Sequence, residues 1–93
     1  MIVDIEPRPL EVKALKNYLL YIKFKNNEEK IYDMKPNFKY PFYENLKDIE
    51  KFKRIRISGI NIEWESGEDI APENLYNDSV PIGEFNKDEL EEI

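Results

Sequence analysis

The chain has 93 residues, a formal net charge of -6, and neither cysteine nor histidine. That composition excludes an N/S zinc site, haem ligation, a thiol nucleophile and a Ser-His-Asp triad. With 41% hydrophobic and 13% aromatic residues it can build one modest core, and only Gly59, Gly67 and Gly83 are available for a phosphate-cradling loop.

No stretch of eighteen apolar residues is present, so no membrane association is expected. Met1 to Glu6 lacks the basic start and apolar run of a signal peptide, and the absence of cysteine fits a cytoplasmic setting. The charge is divided unevenly. Residues 1–60 hold 13 Lys/Arg against 9 Asp/Glu, whereas residues 61–93 hold 1 against 11. Such a split suits either an acidic segment seeking a basic partner or two faces that neutralise each other after folding.

In chain order, Ile2 to Ile5 is a candidate edge strand, and Pro7 and Pro9 interrupt pairing because proline removes a ladder donor. Leu10, Val12 and Ala14 alternate with Glu11 and Lys13, a strand pattern. Lys16-Asn17 reads as a tight turn, since Asn tolerates left-handed angles. Tyr18, Leu20, Ile22 and Phe24 form the dry face of the next strand, with Tyr21, Lys23 and Lys25 on the other. Asn26 to Glu29 is a polar turn and Ile31 to Met34 the returning strand of an antiparallel meander.

Lys35-Pro36-Asn37 and Tyr40-Pro41 stop regular pairing. Phe38, Tyr40, Phe42 and Tyr43 supply an aromatic cluster, either a lid on a small core or a ligand platform. Leu46, Ile49 and Phe52 have helical spacing within Asn45 to Lys53, with Asn45 or Asp48 as cap. Ile55 and Ile57 then alternate with Arg54, Arg56 and Ser58, and Ser58-Gly59 turns into a second hairpin. Lys51, Lys53, Arg54 and Arg56 are the one basic face. It reads as a nucleic-acid contact or as the wet side of a strand paired with Glu63 and Glu65, and the overall charge disfavours direct nucleic-acid binding.

The central stretch runs from Ile60 to Tyr76. Ile60, Ile62 and Trp64 alternate with Asn61, Glu63 and Glu65, placing Trp64 in the core beside residues such as Ile22 and Phe24. Ser66-Gly67 ends the strand. Pro72 suits the first turn of a helix and Glu73 its positive N-terminus. Asp69 is positioned to accept backbone N–H groups ahead of that helix. Glu63, Glu65, Glu68 and Asp69 read as a hard-cation site or, as strand alternation already explains, a solvated face and turn. No metal ligand is assigned on this pattern, and no cofactor.

Beyond Asn77, Asn86-Lys87-Asp88-Glu89 matches a capping box, with Phe85 and Leu90 as its hydrophobic staple. The organisation expected is a single α+β domain over residues 1–80 and an acidic C-terminal tail over 81–93 with one short helix. Phe85, Leu90 and Ile93 are the candidate anchors for a partner, because buried apolar contacts hold a complex while rim charges steer it. A paired-carboxylate enzyme needs a cleft that a core of this size seldom provides, so no catalytic residue is assigned.

The order of Tyr18 to Phe24, Asp33-Met34-Lys35-Pro36, Leu46 to Phe52 and, above all, Ile62 to Tyr76 resembles the bacterial domain-of-unknown-function 2442 family. Trp64, Gly67, Asp69, Pro72, Leu75 and Tyr76 match its W-x-x-G-x-D-[IL]-x-P-E-x-L-Y signature, and the likeness covers residues 7–80. The chain departs at Asn26 to Glu29, where the family usually has an Asp/Asn-Gly turn. The resemblance implies an α+β fold with a small twisted antiparallel sheet of two hairpins or a meander and one or two short helices. It also implies a place in a toxin–antitoxin-like pair. Some relatives carry an added helix-turn-helix domain and look like regulators, and 93 residues leave no room for one. The expected function is a non-enzymatic interaction module with a basic protein partner. The alternatives are a nucleic-acid-associated regulator acting through a partner domain and a carboxylate-based metal-binding domain.

Overall fold

The computed structural model describes residues 7–93. The expected edge strand at Ile2 to Ile5 lies outside them. Strands β1 (Pro9–Leu15), β2 (Leu19–Phe24) and β3 (Glu29–Asp33) form the meander, extended by β7 (Val80–Pro81) in the order β1-β2-β3-β7. A second antiparallel sheet has the order β4 (Ile55–Ser58), β5 (Asn61–Trp64) and β6 (Asp69–Ile70). The fold is thus α+β, with two small antiparallel sheets and a few short helices.

Pro9 opens β1 rather than ending it. Proline is tolerated at the first position of a strand, and the register shifts between Pro9 and Glu11, placing Leu10 in a bulge. Asn17 and Tyr18 both take left-handed angles, at φ 62° and 59°. Tyr18 therefore belongs to the turn, and β2 starts at Leu19. Its ring still reaches the core, edge-on to Phe38 at 5.0 Å and Phe52 at 5.2 Å. The second turn also works without glycine, because Asn27 adopts φ 72° and its N–H donates to the Phe24 carbonyl at 2.9 Å. Asn is among the few residues for which this conformation is cheap.

Both sheets contribute to the main core. Leu20, Ile22 and Phe24 from β2 meet Ile62 and Trp64 from β5, together with Met34, Leu46, Phe52, Ile70 and Leu75. Trp64 is fully buried, and its indole lies 6.2 Å from the Phe52 ring. Two apolar residues depart from their expected faces. The helix expected over Asn45 to Lys53 is only α1 (Ile49–Phe52), capped by Asp48, whose Oδ1 accepts from Glu50 N–H at 3.0 Å. With Pro41–Lys47 wound as a tighter 3-10 turn, Leu46 and Phe52 are buried while Ile49 is exposed. Ile60 sits at the hairpin tip beside Gly59 (φ 62°) and is also exposed, so the dry face of β5 is Ile62 and Trp64 alone.

A smaller apolar cluster forms on the other side of the meander. Leu15, Leu19 and Ile31 are buried there under Ile82, Phe85 and Leu90, with Tyr21 beside them. Residues 82–84 and 87–90 are single 3-10 turns, and the Asn86 N–H donates to Glu89 Oε1 at 2.8 Å. Lys16 N–H then donates to the Glu91 carbonyl at 2.8 Å, and Glu92 bridges Leu15 on the edge of β1. The segment expected as an acidic tail is therefore a cover for the protein's own sheet.

Candidate functional site: an aromatic and acidic surface

The aromatic cluster divides in two. Phe38 and Tyr43 pack against the core, as a lid does. Tyr40 and Phe42 turn outward and are 51% and 57% exposed. The division follows from the backbone. Two consecutive 3-10 turns, Lys35–Lys39 and Pro41–Lys47, meet at Tyr40, whose extended angles and following proline prevent one continuous helix. Phe42 and Tyr43, being adjacent, then point to different sides, with their rings edge-to-face at 4.9 Å. Lys39 Nζ lies 5.2 Å from the centre of the Tyr40 ring.

Tyr43 joins this surface to the central stretch. Its hydroxyl donates to the Asp69 carbonyl at 2.8 Å. Burial pushes the Tyr43 phenol up, and Tyr32, Asp69 and Glu68 nearby push it further. Tyr32, whose hydroxyl accepts from Asn37 Nδ2 at 2.7 Å, is raised by burial. The Asn37 bond opposes that rise, and Asp78 and Asp33 add to it. Asp69 and Glu68 thus lie within electrostatic reach of Tyr43, whose ring meets Phe42, while the Tyr40 ring has the cation of Lys39 beside it.

The central residues each have a distinct place. The turn after β5 is closed by Trp64 N–H to the Glu68 carbonyl and by Gly67 N–H to the Trp64 carbonyl, both at 2.8 Å. Gly67 has φ 108°, an angle that side chains rarely adopt. The turn lets β6 pair back onto β5, through Ile62 with Ile70 and Glu63 with Asp69. Glu68 is buried, and Ser66 Oγ donates to it. Pro72 is the first residue of α2 (Pro72–Asp78), and Leu75 is buried. Tyr76 packs edge-on to Phe24 at 5.0 Å, donates its hydroxyl to Glu28, and holds Lys30 Nζ 4.0 Å over its ring.

Asp69 is exposed, and no side chain caps the start of α2. The expected carboxylate cap is thus replaced by a backbone contact, because pairing in β6 turns the Asp69 carbonyl toward Tyr43. The four carboxylates of the central stretch also have separate surroundings. Arg56 pairs with Glu63 at 3.3 Å, Arg54 with Glu65 at 3.8 Å, and Glu68 faces Ser66. Among the described residues, no group of three or more acidic side chains is arranged to hold a metal ion. The same pairs occupy much of the basic face, where Lys53 meets Glu50 at 3.1 Å.

Of the three anchors read from the sequence, Phe85 and Leu90 lie half-buried against Leu15, Leu19 and Ile31, while Ile93 is 43% exposed at the edge of β1. The structure brings together Tyr40, Phe42, Tyr43 and Asp69 instead. Their sequence signal was the aromatic cluster, but nothing local related it to Asp69.

The matched residues include nearly all of this geometry. The family described as "Protein of unknown function (DUF2442)" matches residues 9–81. The chain belongs to this family. The match spans both sheets, the aromatic turns, α2 and the central stretch with its signature, and ends at Pro81, before most of the covering segment. No curated protein and no solved structure matches the chain at a significant level. Among the described residues, no helix is long and apolar enough to cross a membrane.

Proposed function

We propose that this protein is a non-enzymatic, cytoplasmic interaction module, the acidic member of a two-protein pair, and that it binds a basic segment of its partner at the Tyr40–Phe42 surface. The observation that carries the reading is the exposure of Tyr40 and Phe42 beside Tyr43, whose hydroxyl is fixed to the Asp69 backbone. Aromatic rings offer large contact areas at low entropic cost and attract Arg and Lys over their faces, which is why they dominate interface energetics. Asp69, whose backbone Tyr43 holds, takes part in no ion pair among the described residues. Its carboxylate would draw an incoming cation and quicken association at low salt.

The test uses a synthetic arginine-rich peptide and an uncharged peptide of equal length, with binding followed by amide chemical shifts. The reading expects saturable shifts from the basic peptide alone, centred on Tyr40, Phe42, Tyr43 and Asp69. They should weaken as salt shortens the screening length to about 10 Å at 0.1 M. Tyr40→Ser with Phe42→Ser should abolish them while the protein stays folded. Shifts centred on Glu84 to Ile93, or unchanged in the double variant, would refute the surface.

A further inference from the structure

We infer, on the footing that Tyr40 and Phe42 receive a basic segment of a partner, that this segment carries both signs of charge. Its arginine or lysine docks at the Phe42–Asp69 end of the surface, and an acidic residue of the same segment docks at the Tyr40–Lys39 end. Four contacts place these ends in order. Lys39 Nζ lies 5.2 Å from the centre of the Tyr40 ring. The Tyr40 carbonyl accepts from Tyr43 N–H at 3.0 Å. The Tyr43 ring meets Phe42 edge-to-face at 4.9 Å, and its hydroxyl donates to the Asp69 carbonyl at 2.8 Å. The exposed rings of Tyr40 and Phe42 thus have a lysine on one flank and an aspartate on the other.

Both flanking charges are exposed, and neither takes part in an ion pair among the described residues. The other charges nearby face elsewhere. Glu68 lies on the Asp69 side but is buried, with Ser66 Oγ donating to it. In a 3-10 turn side chains three apart stand over one another, so Glu44 and Lys47 share one side of Pro41–Lys47 and Phe42 shares another with Asn45. A segment of arginines alone would set a second cation on the ring that Lys39 already attends, and like charges brought together weaken a complex. An acidic residue placed there meets Lys39 instead. An arginine at the other end can lie on the Phe42 ring and reach toward Asp69. The spacing of the two ends is set before any partner arrives. Pro36 and Pro41 each lie in the first turn of their 3-10 segments, and Tyr40 between them is extended at φ -94° and ψ 129°. A site already held in its bound shape loses little order on binding.

The probes are three amidated peptides that share the sequence Arg-Arg-Gly-Ser-Gly-Ser and end in Glu, Gln or Arg. Each is titrated into the full-length protein, with the amide shifts of Tyr40, Phe42, Tyr43 and Asp69 giving the affinity. The salt is about 0.15 M, where charges more than about 8 Å away are screened. The glutamate peptide should bind tightest and the arginine peptide weakest, each step being about two- to fivefold, as for an exposed charge pair. The net charge of -6 would by itself favour the opposite order, so the expected one reports a local contact. Lys39→Glu should invert the order and Lys39→Gln should level it. Circular dichroism confirms that both variants are folded. Binding at these four residues with equal affinity for the three peptides overturns the two-signed segment and leaves the aromatic surface standing. So does tightest binding of the arginine peptide, or an order unchanged in Lys39→Glu. An absence of shifts at these residues with every peptide overturns both the two-signed segment and the surface it rests on.

Discussion

The indole N–H of Trp64 donates to the backbone carbonyl of Phe52 at 2.8 Å, inside the core. This bond links the last residue of β5 to the last residue of α1. It satisfies a carbonyl at a helix end, where intrahelical partners run out, and fixes the angle at which the short helix meets the second sheet. Trp64→Ala should cost about 3–5 kcal/mol through the cavity it leaves. Trp64→Phe keeps an aromatic ring but leaves the carbonyl without its donor, a loss of about 1–3 kcal/mol. Urea unfolding followed by circular dichroism measures both, and a negligible loss in Trp64→Phe beside a large one in Trp64→Ala would show that packing alone holds the site.

Glu28 at the tip of the β2–β3 hairpin is tied to α2 by the Tyr76 hydroxyl, with Asn26 on the same carboxylate oxygen. These hydrogen bonds, Tyr76's first and then Asn26's, with Lys30 nearby, hold the Glu28 carboxyl below its ordinary value against a small opposing effect of burial. A group whose pKa is lowered by folding stabilises the native state above its unfolded value of 4.5, and that contribution is lost as pH falls through the lower native value. Tyr76→Phe should therefore lower Tm at pH 7 more than at pH 3. A constant difference across that range would separate Tyr76 from the titration.

Tyr21 titrates at the opposite extreme. Burial first, then its hydrogen bond to Glu29 and the charges of Glu29 and Glu11, push its phenol up to about 12. Unfolding returns it to about 10, so the unfolded chain releases its proton earlier as pH rises. Stability should fall between pH 10 and 12, and Tyr21→Phe should soften that fall. Ultraviolet titration should show one fewer late-ionising phenol in the variant.

Asn27 carries the β2–β3 hairpin in a left-handed conformation at φ 72°. Asn27→Ala should destabilise by about 1 kcal/mol, because a Cβ without a compensating local hydrogen bond is disfavoured there. Asn27→Gly should be tolerated without that loss. Thermal unfolding of the two variants decides the matter, and the reverse order would mean that contacts of the Asn27 side chain outweigh its backbone angle.

Deleting residues 84–93 removes Phe85 and Leu90 from the cluster with Leu15, Leu19 and Ile31. The shortened chain should unfold at a lower temperature and bind a hydrophobic dye. A segment acting only as a partner contact would leave both readouts unchanged.

The sequence by itself determined those features whose physical cause lies within a few residues. Alternation located the strands, because successive side chains on a strand face opposite sides. Pro72 marked a helix start, since its missing N–H has no partner to lose there. The basic face read as one side of a strand paired with Glu63 and Glu65, and Arg56 does meet Glu63 in register while Arg54 meets Glu65. The doublets Ala14-Leu15, Leu19-Leu20 and Ile31-Tyr32 also carried information, since adjacent apolar residues on a strand require cover on both faces. Their local pattern could not name the cover. Only the tertiary structure decided that Ile82, Phe85 and Leu90 supply it, that Ile49 and Ile60 face solvent, and that Tyr43 meets the Asp69 backbone. These outcomes depend on contacts between segments far apart in the chain, where the area buried by the whole arrangement selects a partner that no neighbouring residue specifies.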